Sequence, residues 1–148
     1  MRIHTDRRAR QGQYWDTCRV SQTGFCRAFP NKPRSILMSH EKFKACIDAC
    51  NACVTSCNHC AVSCLKETDV KVMARCIALD MDCAAICALA AAAMARDSEH
   101  AKAICALCAT ICESCGHECA RHQMAHCQDC AKACHACAEA CRKMVTAA

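Results

Sequence analysis

Cys46-Ile-Asp-Ala-Cys50-Asn-Ala-Cys53-Val-Thr-Ser-Cys57-Asn-His-Cys60-Ala-Val-Ser-Cys64 repeats cysteine at alternating steps of four and three. Steps of four and three return a side chain to one face of an α-helix, so this is the inward seam of an amphipathic helix with thiols in place of leucines. Every sulfur of the stretch points into the same interior. The function of the chain has to account for that interior.

The same spacing occurs three more times. A second helix starting near Asp69 carries Met73, Cys76, Asp80, Cys83, Cys87, Ala90 and Met94 on its seam, and so forms the sulfur-poor wall. A third carries Ala101, Cys105, Cys108, Cys112, Cys115 and Cys119, and a fourth carries Cys127, Cys130, Cys134, Cys137 and Cys141, extended by Met144. Short polar breaks separate them at Lys66 to Asp69, Arg96 to Ser98 and Arg121 to Ala125. Ser39 and Ser98 are expected to cap the first and third helices at their amino ends. Ile47, Val54 and Leu65 beside the first seam, and Ile104 and Ile111 beside the third, are expected to fill the flanks between helices. Long periodic segments joined by short breaks pack antiparallel with their chain neighbours. The expected fold is therefore all-α, an antiparallel up-down-up-down four-helix bundle with a cysteine-lined core.

Composition supports long helices. The chain has 148 residues, with 21 cysteines, only three glycines and two prolines, so helix breakers are rare. A secreted disulfide scaffold is the usual reading of a short cysteine-rich chain, but the count is odd. Neighbours at i and i+4 also sit about 5–6 Å apart at Cβ, whereas a disulfide wants about 3.5–4.5 Å. Arg7-Arg8 is not followed by an apolar run of signal-peptide length, so a reducing cytoplasm is the expected location.

Charge divides the chain into two parts. Residues 1–38 hold eight Lys or Arg and two Asp or Glu, a net +6, while the remainder holds eleven and twelve, a net −1. With Pro30, Pro33 and no sustained periodicity, residues 1–38 read as a basic, flexible extension, and residues 39–148 as the folded domain. An Arg-rich organellar presequence would be interrupted by Asp6 and Asp16. Cys18 and Cys26 lie in the extension and read as incidental exposed thiols. Met38-Ser-His-Glu-Lys-Phe is a natural start for the folded part. The near-neutral domain offers no surface for nucleic acid or an anionic membrane.

Nineteen small inward side chains would leave the centre of four long helices underfilled, which calls for a filler. Thiolates select soft metals: Cu(I), zinc or iron–sulfur clusters. A tetrahedral zinc site with four thiolates keeps two surplus negative charges, which is costly when repeated along a dry core without seam Lys or Arg. Cu(I) carries one charge per thiolate and neutralises the lumen, so the expected capacity is on the order of one Cu(I) per seam thiol. Iron–sulfur clusters need four cysteines converging on one compact position, and a continuous ladder offers none in preference to another. The Cys-x-x-Cys spacings are slices of the same repeat. No inward Glu-x-x-His pair supports a di-iron oxidase, and a thiol redox catalyst would need an exposed, low-pKa cysteine. The chain is thus expected to bind metal without catalysis, with zinc, cadmium or silver as alternative cargo and a thiol redox protein as the further alternative.

Three segments carry a family resemblance: Cys46 to Cys64, Cys76-Ile-Ala-Leu-Asp-Met-Asp-Cys83-Ala-Ala-Ile-Cys87, and the run from Cys112 through His122-Gln-Met124-Ala-His126-Cys127 to Cys141. From about His40 to Cys141 the chain resembles the cysteine-rich four-helix-bundle copper storage proteins, in particular their cytosolic branch. The resemblance implies multiple Cu(I) ions per chain along the core, a homotetramer, and histidine-containing entry sites at one end. It also leaves room for copper donor or acceptor proteins as partners.

The break between the first two helices and that between the last two lie at the same end, which brings His122, Met124 and His126 together near Met73. Imidazole and thioether hold Cu(I) more weakly than thiolate, as a port must. His59, His117 and His135 fall off the seam line and are expected to face solvent. Asp80, the odd seam residue, is either a hydrogen-bond acceptor or occasional ligand near the mouth, or a solvated carboxylate. Met38, His40, Met94, His100 and Met144 are expected at the opposite end.

Overall fold

The computed structural model describes the backbone of residues 34–146 and the side chains of 41–146. Most of the expected extension, with Cys18 and Cys26, lies outside the described residues, as do the side chains of Met38 and His40. The order of elements is α1 (Arg34–Cys64), α2 (Val70–Ala95), α3 (Ala101–Ala120) and α4 (Ala125–Thr146). Among the described residues there is no strand.

Helix starts differ from the sequence expectation in two places. Ser39 does not cap α1, because the helix already runs from Arg34. No glycine or proline lies between residues 34 and 64, so nothing in the sequence stops the helix from propagating back towards Pro33. Ser98 is not the N-cap of α3 either; that position belongs to His100. Ser98 instead closes a tight turn, accepting hydrogen bonds from the His100 amide at its Oγ (3.3 Å) and from the Ala101 amide at its carbonyl (2.9 Å).

The end of α2 explains why Ser98 is displaced. Asp97 adopts a left-handed backbone with φ of 54°, which aspartate tolerates better than most residues. Its amide then reaches Met94 O at 3.1 Å, and the Ser98 amide reaches Ala93 O at 3.0 Å. This pair of bonds satisfies the last carbonyls of the helix in a Schellman arrangement, which takes up Ser98 before the next helix can begin.

Each helix packs on two neighbours, α1 against α2 and α4, and α3 against α2 and α4. The diagonal pairs are not in backbone contact. With three short connections this is the up-down-up-down bundle, one core enclosed by four walls. All nineteen seam cysteines are buried, eighteen of them with no exposed surface and Cys46 at 5%. Ile47 is buried beside them, and Val54, Ile104 and Ile111 pack against the core from its flanks. Leu65 does not; it follows the end of α1 and is 57% exposed. Met94 and Met144 are buried with the core, whereas His100 is on the surface.

The stretch Val70–Ala95 is long and apolar enough to cross a membrane, yet 44% of its most apolar part is buried inside the bundle. Its inward face carries Asp80 and three thiols, as befits a core wall.

Candidate metal centre

The a/d spacing turns the seam thiols inward, and the small size of cysteine and alanine lets the four helices close tightly. Within a helix, i and i+4 sulfurs approach to 3.8 Å for Cys53 and Cys57, 3.9 Å for Cys60 and Cys64, and 3.8 Å for Cys130 and Cys134. Between neighbouring helices the gaps are similar: 3.6 Å from Cys57 to Cys134, 3.5 Å from Cys83 to Cys112 and 3.4 Å from Cys87 to Cys112. All far exceed the disulfide bond length of about 2.05 Å, and the nineteen are free thiols.

The expected underfilled centre is not what the structure contains. Sulfurs meet even across the diagonal, Cys83 to Cys134 at 3.9 Å and Cys87 to Cys137 at 3.7 Å, from helices whose backbones do not touch. Small side chains let the walls draw together until the thiols fill the lumen themselves. A metal ion entering the core therefore parts existing sulfur contacts; it does not occupy a ready void.

The ladder divides into overlapping groups of four sulfurs within 4.8 Å of one another. Cys60, Cys64, Cys76 and Cys127 form a group near the loops. Deeper lie Cys57, Cys115, Cys130 and Cys134; then Cys53, Cys57, Cys83 and Cys134; then Cys53, Cys87, Cys112 and Cys137; then Cys50, Cys108, Cys137 and Cys141. Cys53, Cys57, Cys134 and Cys137 each serve at least two groups. A thiolate with two neighbours of this kind can bridge two monovalent ions. Independent tetrahedral sites could not all be filled at once. Cys46 and Cys105 lie at the far end of the ladder, with Cys46 at 3.7 Å from Cys141.

Asp80 sits inside the ladder, fully buried. Its Oδ1 accepts hydrogen bonds from the thiols of Cys115 (3.1 Å), Cys130 (3.3 Å) and Cys119 (3.4 Å), and Oδ2 lies 3.8 Å from Cys76. The solvated reading is thereby excluded. Burial is the main cause that pushes its carboxyl up to about 10, so it holds its proton at neutral pH. Burial likewise raises the thiols of Cys64 and Cys127, the latter to about 11. Metal that binds at Cys64 or Cys127 must displace a thiol proton.

At the loop end, His126 Nε2 lies 3.5 Å from Cys64 Sγ and 3.8 Å from Glu67 Oε1. His122, Met124 and Met73 line one cleft of about 380 Å³ with Glu67, Asp69 and Arg121. The structure thus brings the four expected residues to one mouth. His122 is placed by Gln128, whose amide donates to His122 O (2.6 Å) and Ala120 O (3.2 Å) across the turn. His122 Nε2 is buried, makes no hydrogen bond among the described residues, and lies 3.5 Å from Glu118 Oε1.

Sequence reasoning missed the acidic side of this mouth. Glu118 is buried, with its Oε2 held at 3.0 Å by both Arg75 and Arg121. The spacing Glu118-x-x-x-His122 was a usable signal, since i and i+4 share a helix face. The Arg75 contact spans two helices and leaves no trace in spacing. His59 and His117 face solvent as expected, whereas His135 is half-buried against Gly116.

Comparison with known proteins gives a consistent result. A family model described as copper storage protein matches residues 39–146. The cysteine-rich protein YhjQ of Bacillus subtilis is 56% identical over 79 residues, which cover 53% of this chain and 73% of YhjQ. The Cu(I)-bound copper storage protein BsCsp3 is 54% identical, with 73% of this chain and 99% of that chain covered and a TM-score of 0.68. The copper storage protein Ccsp from Streptomyces lividans, loaded with 10 copper equivalents, is 36% identical over 82% of this chain and 96% of that chain, at a TM-score of 0.72. A structure of copper loading to a cytosolic copper storage protein from the same organism, with five coppers, is 38% identical over 75% and 98%, at 0.71.

Proposed function

The chain belongs to the copper storage protein family, and from that premise we propose that it is a cytosolic store that holds many Cu(I) ions on the thiolates of its core. The observation that carries this reading is the sharing of Cys53, Cys57, Cys134 and Cys137 between adjacent four-sulfur groups. Bridging thiolates allow one monovalent ion per sulfur, which leaves the dry core neutral. The buried polar residues are Asp80 and Glu118, and no buried Lys or Arg is there among the described residues to balance surplus thiolate charge.

Each seam cysteine, from Cys46 to Cys141, is assigned as a ligand, and His122, Met124 and His126 as the port. An ion held by His126 is one short step from Cys64, the outermost thiol of α1. The unbonded Nε2 of His122 and the thioether of Met124 offer weaker stations before it. The reading needs no catalytic step. It fits a homotetramer, because α2 exposes Met81 and Leu89 on its outer side.

A second reading, storage of zinc or another soft ion, draws on the same four-sulfur groups, which suit tetrahedral ions at much lower stoichiometry. Anaerobic loading from a mixture with both free metal concentrations buffered separates the two. Copper storage predicts that Cu(I) displaces zinc and reaches a several-fold higher count. Zinc retained in the presence of Cu(I) would favour the second reading. Replacement of His122 and His126 by alanine should slow uptake while leaving the final copper count near that of the wild type, and unchanged kinetics would count against the port.

A further inference from the structure

Outside the lumen and its mouth, the outer face of α3 and α4 holds another set of metal-ligating side chains. His117 on α3 and His135 on α4 bring their rings to 5.3 Å between centroids, tilted by 58°. Glu113, one turn before His117, places Oε1 at 3.8 Å from His117 Nε2, while Oε2 pairs with Arg142 of α4. None of these residues faces the thiol ladder.

The way His135 is seated sets it apart from a stray surface histidine. Its ring lies directly over Gly116, where a Cβ would fall 2.9 Å from Cε1, 3.0 Å from Nε2 and 3.1 Å from Nδ1. A glycine inside a helix costs about 1 kcal/mol relative to alanine. Here it makes room for an imidazole beside a second imidazole and a carboxylate. No hydrogen bond occupies the His135 ring nitrogens among the described residues. Arg142 fixes the carboxylate from behind, as outer partners commonly orient ligating groups.

We propose that His117, His135 and Glu113 form a second, exterior metal site for a divalent ion of the zinc type, separate from the thiolate store. Two imidazoles and a carboxylate suit borderline divalent ions and lack the soft sulfur that selects Cu(I). The three residues lie on one side of the α3 and α4 pair, with His117 exposed to solvent.

The test uses Cu(I)-saturated protein, so that the thiols are taken, dialysed anaerobically to equilibrium against buffered Zn(II). Copper and zinc per chain are measured for the wild type, His117→Ala and His135→Phe; the phenyl ring keeps the packing over Gly116. The wild type is expected to hold about one zinc per chain more than either substituted protein, with the same copper count in all three. Equal zinc in all three proteins would overturn the proposal. The readout is a difference between proteins with identical lumens, so it remains valid if the copper count itself falls short, and failure of the store and failure of the exterior site stay distinguishable.

Discussion

Cys134 offers a sharp test of whether thiols are shared along the core. It is fully buried on α4, with Cys57 at 3.6 Å, Cys53 at 3.7 Å, Cys130 at 3.8 Å and Cys83 at 3.9 Å, and it belongs to at least two four-sulfur groups. Cys134→Ala removes one sulfur and leaves a void of about methyl size, worth about 1 kcal/mol in the metal-free protein. For a folded part of this size that corresponds to a melting temperature lower by about 4 °C. Copper capacity should fall only slightly, by about one ion, because neutrality limits the count to one Cu(I) per remaining thiolate and neighbouring sulfurs can take over the bridges. Thermal melts of the metal-free protein and anaerobic Cu(I) titration against a competing chelator read the two effects. Loss of about four ions, the content of one four-sulfur group filled at one Cu(I) per thiolate, would show that each group fills or fails as a unit, and refute the shared ladder. An unchanged count would show that Cys134 is not a ligand.

Asp80 and Gly116 yield two further expectations. The Asp80 carboxyl is raised in the folded state to about 10, so its contribution to stability is complete below its unfolded value near 4 and is lost as pH rises towards 10. Metal-free wild type should therefore lose stability relative to Asp80→Asn between pH 5 and 9, by at most about 1.4 kcal/mol per pH unit; parallel denaturation profiles for the two proteins would contradict this. Gly116→Ala should displace the His135 ring, which can rotate away, while gaining up to about 1 kcal/mol of helix propensity. Its melting temperature should change by only a few degrees and its extra zinc should disappear. A fall of more than about 8 °C would show that the ring has nowhere else to go.

The fold was legible because its signal is periodic. Steps of three and four fix which face of each helix points inward, and four such segments with short breaks leave few alternatives to an antiparallel bundle. The same pattern does not encode how far apart the walls stand. Cys83 and Cys134 can touch across the diagonal only because alanines and cysteines let the helices approach, and that distance is a property of all four segments together. Helix ends were less legible for a local reason. Serine is a good cap wherever a helix happens to start, but at Ser98 the left-handed Asp97 turn had already claimed its amide, and at Ser39 no breaker forced a start.

The mouth was half legible. His122, Met124 and His126 lie close together in the chain at a helix junction, so their clustering could be inferred. Glu118 and Arg75 are 43 residues apart, and the partnership that holds Glu118 beside His122 depends on the register of α2 against α3. Asp80 was visible as an oddity in the seam. Its burial among three donating thiols follows from the depth at which α2 sits, which spacing alone does not give.

The central claim is that the core thiolates are neutralised one for one by a monovalent ion. Its most direct measurement is the number of Cu(I) ions bound per chain at saturation, by anaerobic titration of the fully reduced protein with a competing chelator. The nineteen buried thiols set the expected plateau near nineteen, accompanied by a large rise in thermal stability. A plateau at only three or four ions would mean isolated four-thiolate sites, and would contradict the filled core.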